Sequence, residues 1–388
     1  MWCDPSILAL VDHATALLDW LACAARGRDE PAARAARTLG PGLSERVAAA
    51  GAAGHVLDFD DTYLPGLAHL SAPTAPAALV LGAELDRDVG EVLGAYSAGF
   101  EAMGTLAAAT HPALYERGWH PTAVCGTVGA AVAAARLLGL EREQERSAAA
   151  LGLLRAGGLQ AAFGSDGKSL QVGMAAAAGV HAARVAAAGA RVPFERAAAG
   201  FESALGVRPP ELFQAEGLAV AQNWIKPWPC CLQSHGAIEA ARRARLEGVG
   251  AKGPLVVAVH PVSLRAASYD DVSDGPQAKF SIPYLTAFTL LHGPPGVDDF
   301  GGADEEARLL AAERIELRSE RHLGESETVL LADGHELRVE AAPGSPGRPL
   351  SPEAHAAKLR SLAGDRLDGV LDDPARPASV LLAAAGLA

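Results

Sequence analysis

The sequence predicts a mainly α-helical protein with a large all-helical domain and a smaller α+β domain. Three observations lead there. Up to about residue 225, apolar residues recur at helical spacing and almost nothing alternates as a strand does. From KPWPCC (226–231) onward, β-rich runs appear among helical ones. After the loop PGSPGRP (343–349) the pattern turns helical again. The expected organisation is residues 1–227 and 351–388 as the helical domain, with 228–350 as the α+β domain.

In chain order, residues 6–25 repeat apolar positions at helical spacing, with Asp4 as cap and Pro5 at the first helical position. Residues 32–50 are Ala/Arg-rich and broken by Gly-Pro-Gly at 40–42. Helices are expected over 73–85 and 90–108. GWHPTAVCGTVGAAVAAARLLGL (118–140) starts a helix at Pro121, with Gly126, Ala130 and Ala134 forming a small-residue stripe suited to close helix packing. Residues 142–157 and 168–189 continue the series. In the α+β part, a helix is expected over His235–Glu247 and β structure in LVVAVHPVSL (255–264). FSIPYLTAFTLLHG (280–293) suits a helix. TVLLA and HELRVE flank Asp333-Gly334, a two-residue hairpin signal. Ser351 and Pro352 open the last helical region.

Composition limits the function classes. The chain has 388 residues and a formal net charge of −13, which argues against nucleic acid or an anionic membrane as partner. It leaves room for a small anion in a locally positive pocket. The five cysteines, Cys3, Cys23, Cys125, Cys230 and Cys231, contain no CxxC, which fits reduced thiols and disfavours a zinc ribbon or an iron–sulfur cluster. The N-terminus lacks a basic n-region and a cleavage site, so a cytoplasmic protein is expected. The apolar runs near 130–140 and 174–189 are broken by Arg136, His181 and Arg184, short of the roughly 18–20 apolar residues of a membrane span.

One stretch stands out, HVLDFDDTYLPGLAHLSAPTAP (55–76). It sets Asp58, Asp60, Asp61 and His69 among small apolar residues, where a buried charge costs several kcal/mol unless paired. The cluster is either a satisfied cap between helices or the wall of a pocket.

Five motifs then occur in order: HxxDFDDT…H, GWHPTAVCGTxGAAxAAARLLGL, GxxGKSLQVGxAAxxGVxAARxAAxG, KPWPCCxxxHxAIEAA and AKFSIPY. Together they resemble the MmgE/PrpD family, which includes 2-methylcitrate dehydratases, cis-aconitate decarboxylases and iminodisuccinate epimerases. The resemblance implies a homodimer of a large helical domain with an α+β lid, and a lyase acting on a small di- or tricarboxylic acid. The runner-up is an isomerase epimerising an imino diacid. The motifs carry the family's site onto Asp58, His69, His120 and Lys168 as catalytic residues and onto Thr62, His235 and Tyr284 as substrate-binding ones. Two positions depart from the family pattern: Leu70 stands where a Pro often follows the His, and Gln171 where a His often follows the Lys. Gln171 is expected to take a substrate-binding place.

The residue types suit that chemistry. A citrate-like acid needs cationic donors for its carboxylates, a base beside an acidic C–H and an acid for the leaving group or carbanion. His69, His120 and Lys168 supply such groups, and Lys168 opens a helix whose amide donors already favour anions. Asp58 either orients a histidine or acts as the base. The histidines lack HxxxH spacing and no GxGxxG or P-loop occurs, so neither metal nor nucleotide is expected and the chemistry should be cofactor-free. Asp60 and Asp61 read as structural caps, His55 as a helix-end residue, Cys125, Cys230 and Cys231 as packing, and Arg155 as a surface or inter-subunit residue.

Overall fold

The computed structural model describes residues 5–212, 218–249 and 253–388, with the backbone alone for 5–11. Asp4, the expected cap of the first helix, and Cys3 lie outside the described residues.

The helical part begins with α1 (Pro5–Gly27), α2 (Pro31–Arg37) and α3 (Leu43–His55). A two-residue strand, β1 (Thr62–Tyr63), precedes α4 (Ser71–Glu84), α5 (Val89–Thr110), α6 (Ala113–Glu116) and α7 (Pro121–Leu137). Next come α8 (Arg142–Arg155), α9 (Gly167–Ala187) and α10 (Phe194–Leu205). Local signals explain the starts. Asp88 accepts from the Glu91 amide while its own amide donates to the Glu91 carboxylate, a capping box that opens α5. Pro121 takes the first position of α7, where its missing N–H costs nothing.

Helix α7 is the central rod, buried along nearly its whole length. Small residues let its neighbours approach. A Cβ on Gly126 would meet Pro73 of α4 at 2.6 Å, and one on Gly179 of α9 would meet Ala130 at 2.5 Å. The expected stripe on α7 therefore serves two partners rather than one. Helices α3 and α9 touch backbone to backbone where Gly51 faces Gly173.

Strand β2 (Asn223–Trp224) pairs antiparallel with β1, Thr62 opposite Trp224. The short ladder ties the 55–70 stretch to the segment that leads into KPWPCC. The α+β part then runs α11 (His235–Glu247), β3 (Leu255–Val259), α12 (Pro261–Ala266), α13 (Gly275–Ala278), α14 (Ile282–His292), α15 (Glu305–Arg314), β4 (Ile315–Ser319), β5 (Thr328–Ala332) and β6 (His335–Val339). The sheet order is β4-β3-β5-β6, with β3 and β4 parallel and the other pairs antiparallel. Leu255, Val257 and Val259 of β3 point into a core shared with Ala237, Ala240 and Ala244 of α11. Asp333 and Gly334 both take positive φ, as a type I′ hairpin turn requires.

Helices α16 (Pro352–Ala363) and α17 (Ser379–Ala385) return to the helical part, where Leu362, Leu381 and Leu382 join the core of Trp20 and Leu79. Ser351 caps α16 by accepting from the Ala354 amide. No element is predicted where α10, α15 and β4 stand. No described helix is long and apolar enough to cross a membrane.

Candidate active site

The loop after α3 is the hub of the site. Its turn closes when the Asp58 amide donates to the His55 carbonyl, and Asp58 sits at φ 53°, a left-handed conformation that Asp tolerates better than most residues. Three lysines from distant segments donate to three successive carbonyls. Lys279 reaches Leu57, Lys226 reaches Asp58 and Lys358 of α16 reaches Phe59, each at 2.8 Å. The hub is thereby held by the helical core, by the segment after β2 and by the α+β part at once.

Two buried ammonium groups, one of them Lys226, converge on one carboxylate. Lys226 Nζ stands 2.9 Å and Lys168 Nζ 3.0 Å from Asp58 Oδ1. Burial alone would raise the Asp58 carboxyl, but Lys168, Lys226 and His69 outweigh it and hold it well below the usual carboxylate range. Lys168, in the first turn of α9, lies 5.5 Å from the Phe163 ring centre and 5.2 Å from that of Phe280. The two rings stack on each other at 5.6 Å.

Two imidazoles face the same space. The His69 backbone amide donates to Thr122 Oγ1 at the start of α7, which fixes its place. Its Nε2 lies 3.5 Å from Asp58 Oδ1, and its Nδ1 lies 3.3 Å from Asp60 Oδ2 and 3.4 Å from Thr62 Oγ1. Burial drives His69 down to about 3, against the pull of Asp60, so the ring is neutral. His120, the residue before α7, is also driven well down by burial and by Lys168. Its Nδ1 lies 2.7 Å from Gln171 Nε2. The Gln171 amide is oriented by Leu159: its oxygen accepts from the Leu159 N–H at 3.0 Å and its nitrogen donates to the Leu159 carbonyl at 3.1 Å. Gln171 therefore donates to His120 Nδ1, and the proton of the neutral ring sits on Nε2.

Asp58, Thr62, His69, His120, Lys168, Phe163, Cys231 and Phe280 are among the residues lining an inner cavity of about 40 Å³. Beside it lies an outer pocket of about 270 Å³, bordered by Glu30, Asp166 and Lys279 and sharing Asp58, Lys168 and Phe280 with the inner one. Burial lowers Lys279 to about 8, with Asp58 pulling the other way. A larger cleft of about 510 Å³ near Thr15, Asn223 and His355 has no lysine or arginine among its lining residues.

The structure thus brings Asp58, Thr62, His69, His120, Lys168 and Gln171 together. It does not bring His235 or Tyr284 to either pocket. His235 Nε2 lies 3.3 Å from the Cys230 carbonyl and its ring packs on Trp228. The Tyr284 hydroxyl accepts from the Asp304 amide at 2.9 Å, and its ring lies among the α+β core beside Phe288. Arg155 is exposed at the end of α8. Sequence reasoning missed Lys226, Lys279 and the Phe163–Phe280 pair. Lys226 opens KPWPCC and Lys279 lies in AKFSIPY, so both stood inside motifs that pointed here. His55, Asp60 and His69 each offer one ligand atom, a ring nitrogen or a carboxylate oxygen, within 4.8 Å of the others, a donor set that a divalent cation could use. Motif spacing does not reveal it, since the three are drawn from positions 55, 60 and 69.

Fold and site together define a two-part helical protein whose parts meet around a buried cavity lined by lysine, histidine and aspartate. The chain belongs to the MmgE/PrpD family: the family's N-terminal domain matches residues 5–207 and its C-terminal domain residues 228–373. It is 28% identical over 274 residues to the cis-aconitate decarboxylase of Homo sapiens, covering 64% of this chain and 56% of that protein. The cis-aconitate decarboxylase of Mus musculus matches at 28% over 274 residues, 64% of this chain and 55% of its own. A cis-aconitate decarboxylase-like protein oryM from Aspergillus oryzae is 31% identical over 160 residues, 37% of this chain and 33% of its own. The chain spans about half the length of the first two relatives it matches.

Proposed function

We propose that this protein is a lyase that removes carbon dioxide or water from a small di- or tricarboxylic acid, with His69 as base and His120 as acid. The observation that carries the reading is the pair of neutral imidazoles at one cavity wall. His120 offers an N–H there, because Gln171 occupies its other nitrogen. Asp58 is a poor base, since two ammonium groups already neutralise its carboxylate. That leaves His69 to take a proton: Lys168 and Lys226 help to hold the ring down, and a bound substrate carboxylate offsets them and raises its basicity.

In a dehydration, His69 removes the proton next to a carboxylate and His120 protonates the departing hydroxyl. In a decarboxylation, the C–C bond electrons pass to the substrate carbon skeleton, carbon dioxide leaves and His120 protonates the carbanion. Lys168, Lys226 and Lys279 together outnumber the Asp58 and Asp60 carboxylates, so the wall attracts a substrate carboxylate. The names of the relatives favour decarboxylation of a cis-aconitate-like acid. The inner cavity of about 40 Å³ has room for one or two waters, not for a six-carbon acid. Substrate entry therefore requires Phe280, with the α+β part acting as a lid, to withdraw and merge the inner cavity with the outer pocket.

The reading includes a homodimer: Leu154, Leu159 and Met174 stand exposed close to Gln171 in the chain, and mass photometry would detect the dimer. The test of function is incubation with cis-aconitate, citrate and 2-methylcitrate, following products by proton NMR. Loss of carbon dioxide or water from one of them supports the reading. Exchange of the α-hydrogen with solvent and no net elimination would move it to epimerisation.

A further inference from the structure

We propose that Asp60 is a positioning residue that keeps the His69 proton on Nδ1, so that the Nε2 lone pair faces the inner cavity, while His55 braces the Asp60 carboxylate from the other side. This rests on the reading of His69 as the base. Asp60 and His55 are both buried; Asp60 lines neither pocket, and His55 borders the outer pocket but not the inner cavity. His55 Nδ1 lies 2.9 Å from Asp60 Oδ2 and 3.1 Å from Oδ1. His69 Nδ1 lies 3.3 Å from the same Oδ2, with the two rings perpendicular at 4.5 Å.

A carboxylate can only accept. Each Nδ1 facing it therefore carries its proton, because the other tautomer would set a lone pair against a charged oxygen. His55 supports the assignment from its far side. Its Nε2 is buried without a partner, and a bare lone pair there costs less than an orphaned N–H. The remaining groups around His69 do not demand a proton on Nε2. A lone pair on Nε2 faces Asp58 Oδ1 at 3.5 Å, but two ammonium groups already neutralise that oxygen, so it costs less there than a lone pair on Nδ1 would cost at 3.3 Å from Asp60; the Thr62 hydroxyl, 3.4 Å from Nδ1, can accept from the same N–H. Gln171 and Asp60 thus set opposite tautomers on the two imidazoles, an N–H from His120 and a lone pair from His69. The competing reading of the same three residues is a divalent-cation site.

The decisive measurement is ¹⁵N–¹H NMR of histidine-labelled protein, with His69 assigned by comparison to His69→Gln. The expected result is a protonated Nδ1 and a bare Nε2 on His69. In Asp60→Asn, whose amide can donate to Nδ1, the proton should move to Nε2 and kcat should fall about 10²- to 10⁴-fold with KM within about threefold. A wild-type His69 protonated at Nε2 overturns the proposal, as does Asp60→Asn with kcat within twofold of wild type. Stoichiometric metal whose removal by a chelator shifts the His55 and His69 nitrogens overturns it in favour of ligation. If Asp60→Asn does not fold, the wild-type spectrum alone decides. Protein inert on every acid tested defeats the lyase reading, whereas the tautomer result stands or falls independently of turnover.

Discussion

Lys226 binds Asp58 twice, through the carboxylate Oδ1 at 2.9 Å and the backbone carbonyl at 2.8 Å. Both side chains are buried, and the same ammonium also donates to the Cys230 carbonyl at 3.1 Å. The contact therefore joins the hub loop to the KPWPCC segment that leads into the α+β part. Lys226→Met should destabilise the protein by about 3–5 kcal/mol, because it leaves a carboxylate underground with one partner fewer. Urea denaturation measures it, and combining Lys226→Met with Asp58→Asn should cost less than the sum of the two.

Gly344 supports the same corner. It sits at φ 90° with the Ile225 carbonyl against the place a Cβ would take, and its own carbonyl accepts from the Ile225 amide at 3.0 Å. Gly344→Ala should cost about 1–3 kcal/mol from the conformation alone, more if Ile225 and hence Lys226 shift. A fall in thermal midpoint accompanied by reduced turnover is the expected pair of results.

Much of this was legible in the sequence, and what was not has a physical reason. Helix α11 has the bounds its pattern predicts, and the Asp333-Gly334 hairpin and the Ser351 cap are local signals that need no tertiary help. The motifs led to Asp58, Thr62, His69, His120, Lys168 and Gln171. The lysines on the three hub carbonyls were not legible as such, since their pairings span 168, 222 and 299 residues. Nor was the role of His55: a histidine at a helix end becomes a carboxylate partner only when the chain turns back at Asp60. The two-residue β1–β2 ladder is too short to leave a period.

Gln171→Glu should separate position from stability. A carboxylate at that place accepts from His120 Nδ1, drawing the proton away from Nε2. We expect kcat to fall about 10²-fold with stability nearly unchanged, because the side chain is not buried. Gln171→His should be milder, since an imidazole can still donate. Steady-state kinetics and thermal melts of both variants check this.

Lys168→Ala should act mainly on substrate binding. It removes the ammonium shared by the two pockets and leaves Lys226 to hold Asp58. A loss of about 10²- to 10³-fold in kcat/KM is expected, carried mostly by KM.

Stability should fall on mild acidification. His69 and His235 are driven to about 3 by burial and His120 well below its usual value, whereas in the unfolded chain each titrates near 6.5. Between about 6.5 and 3 the unfolded state takes up protons that the folded state refuses, at about 1.4 kcal/mol per pH unit for each ring. Asp61 works against them: burial and Asp60 push it up to about 7, so it loses stability as pH rises from about 4 to 7. His55 is lowered by burial as well, so the lowered rings outnumber the raised carboxyls Asp61 and Glu145, and unfolding takes up protons on balance near pH 5. Asp58 and Asp60, held low, add their own loss only as pH falls below about 4. Urea midpoints at pH 7, 6 and 5 give the slope.

The most direct test of the central claim is turnover of cis-aconitate, citrate and 2-methylcitrate by wild type, His69→Gln and His120→Gln, read by NMR. Wild type is expected to remove carbon dioxide or water from at least one acid, and each variant to stay folded while losing about 10²-fold or more in kcat. The contradicting result is folded wild type that binds these acids without converting any, or both variants turning over at the wild-type rate.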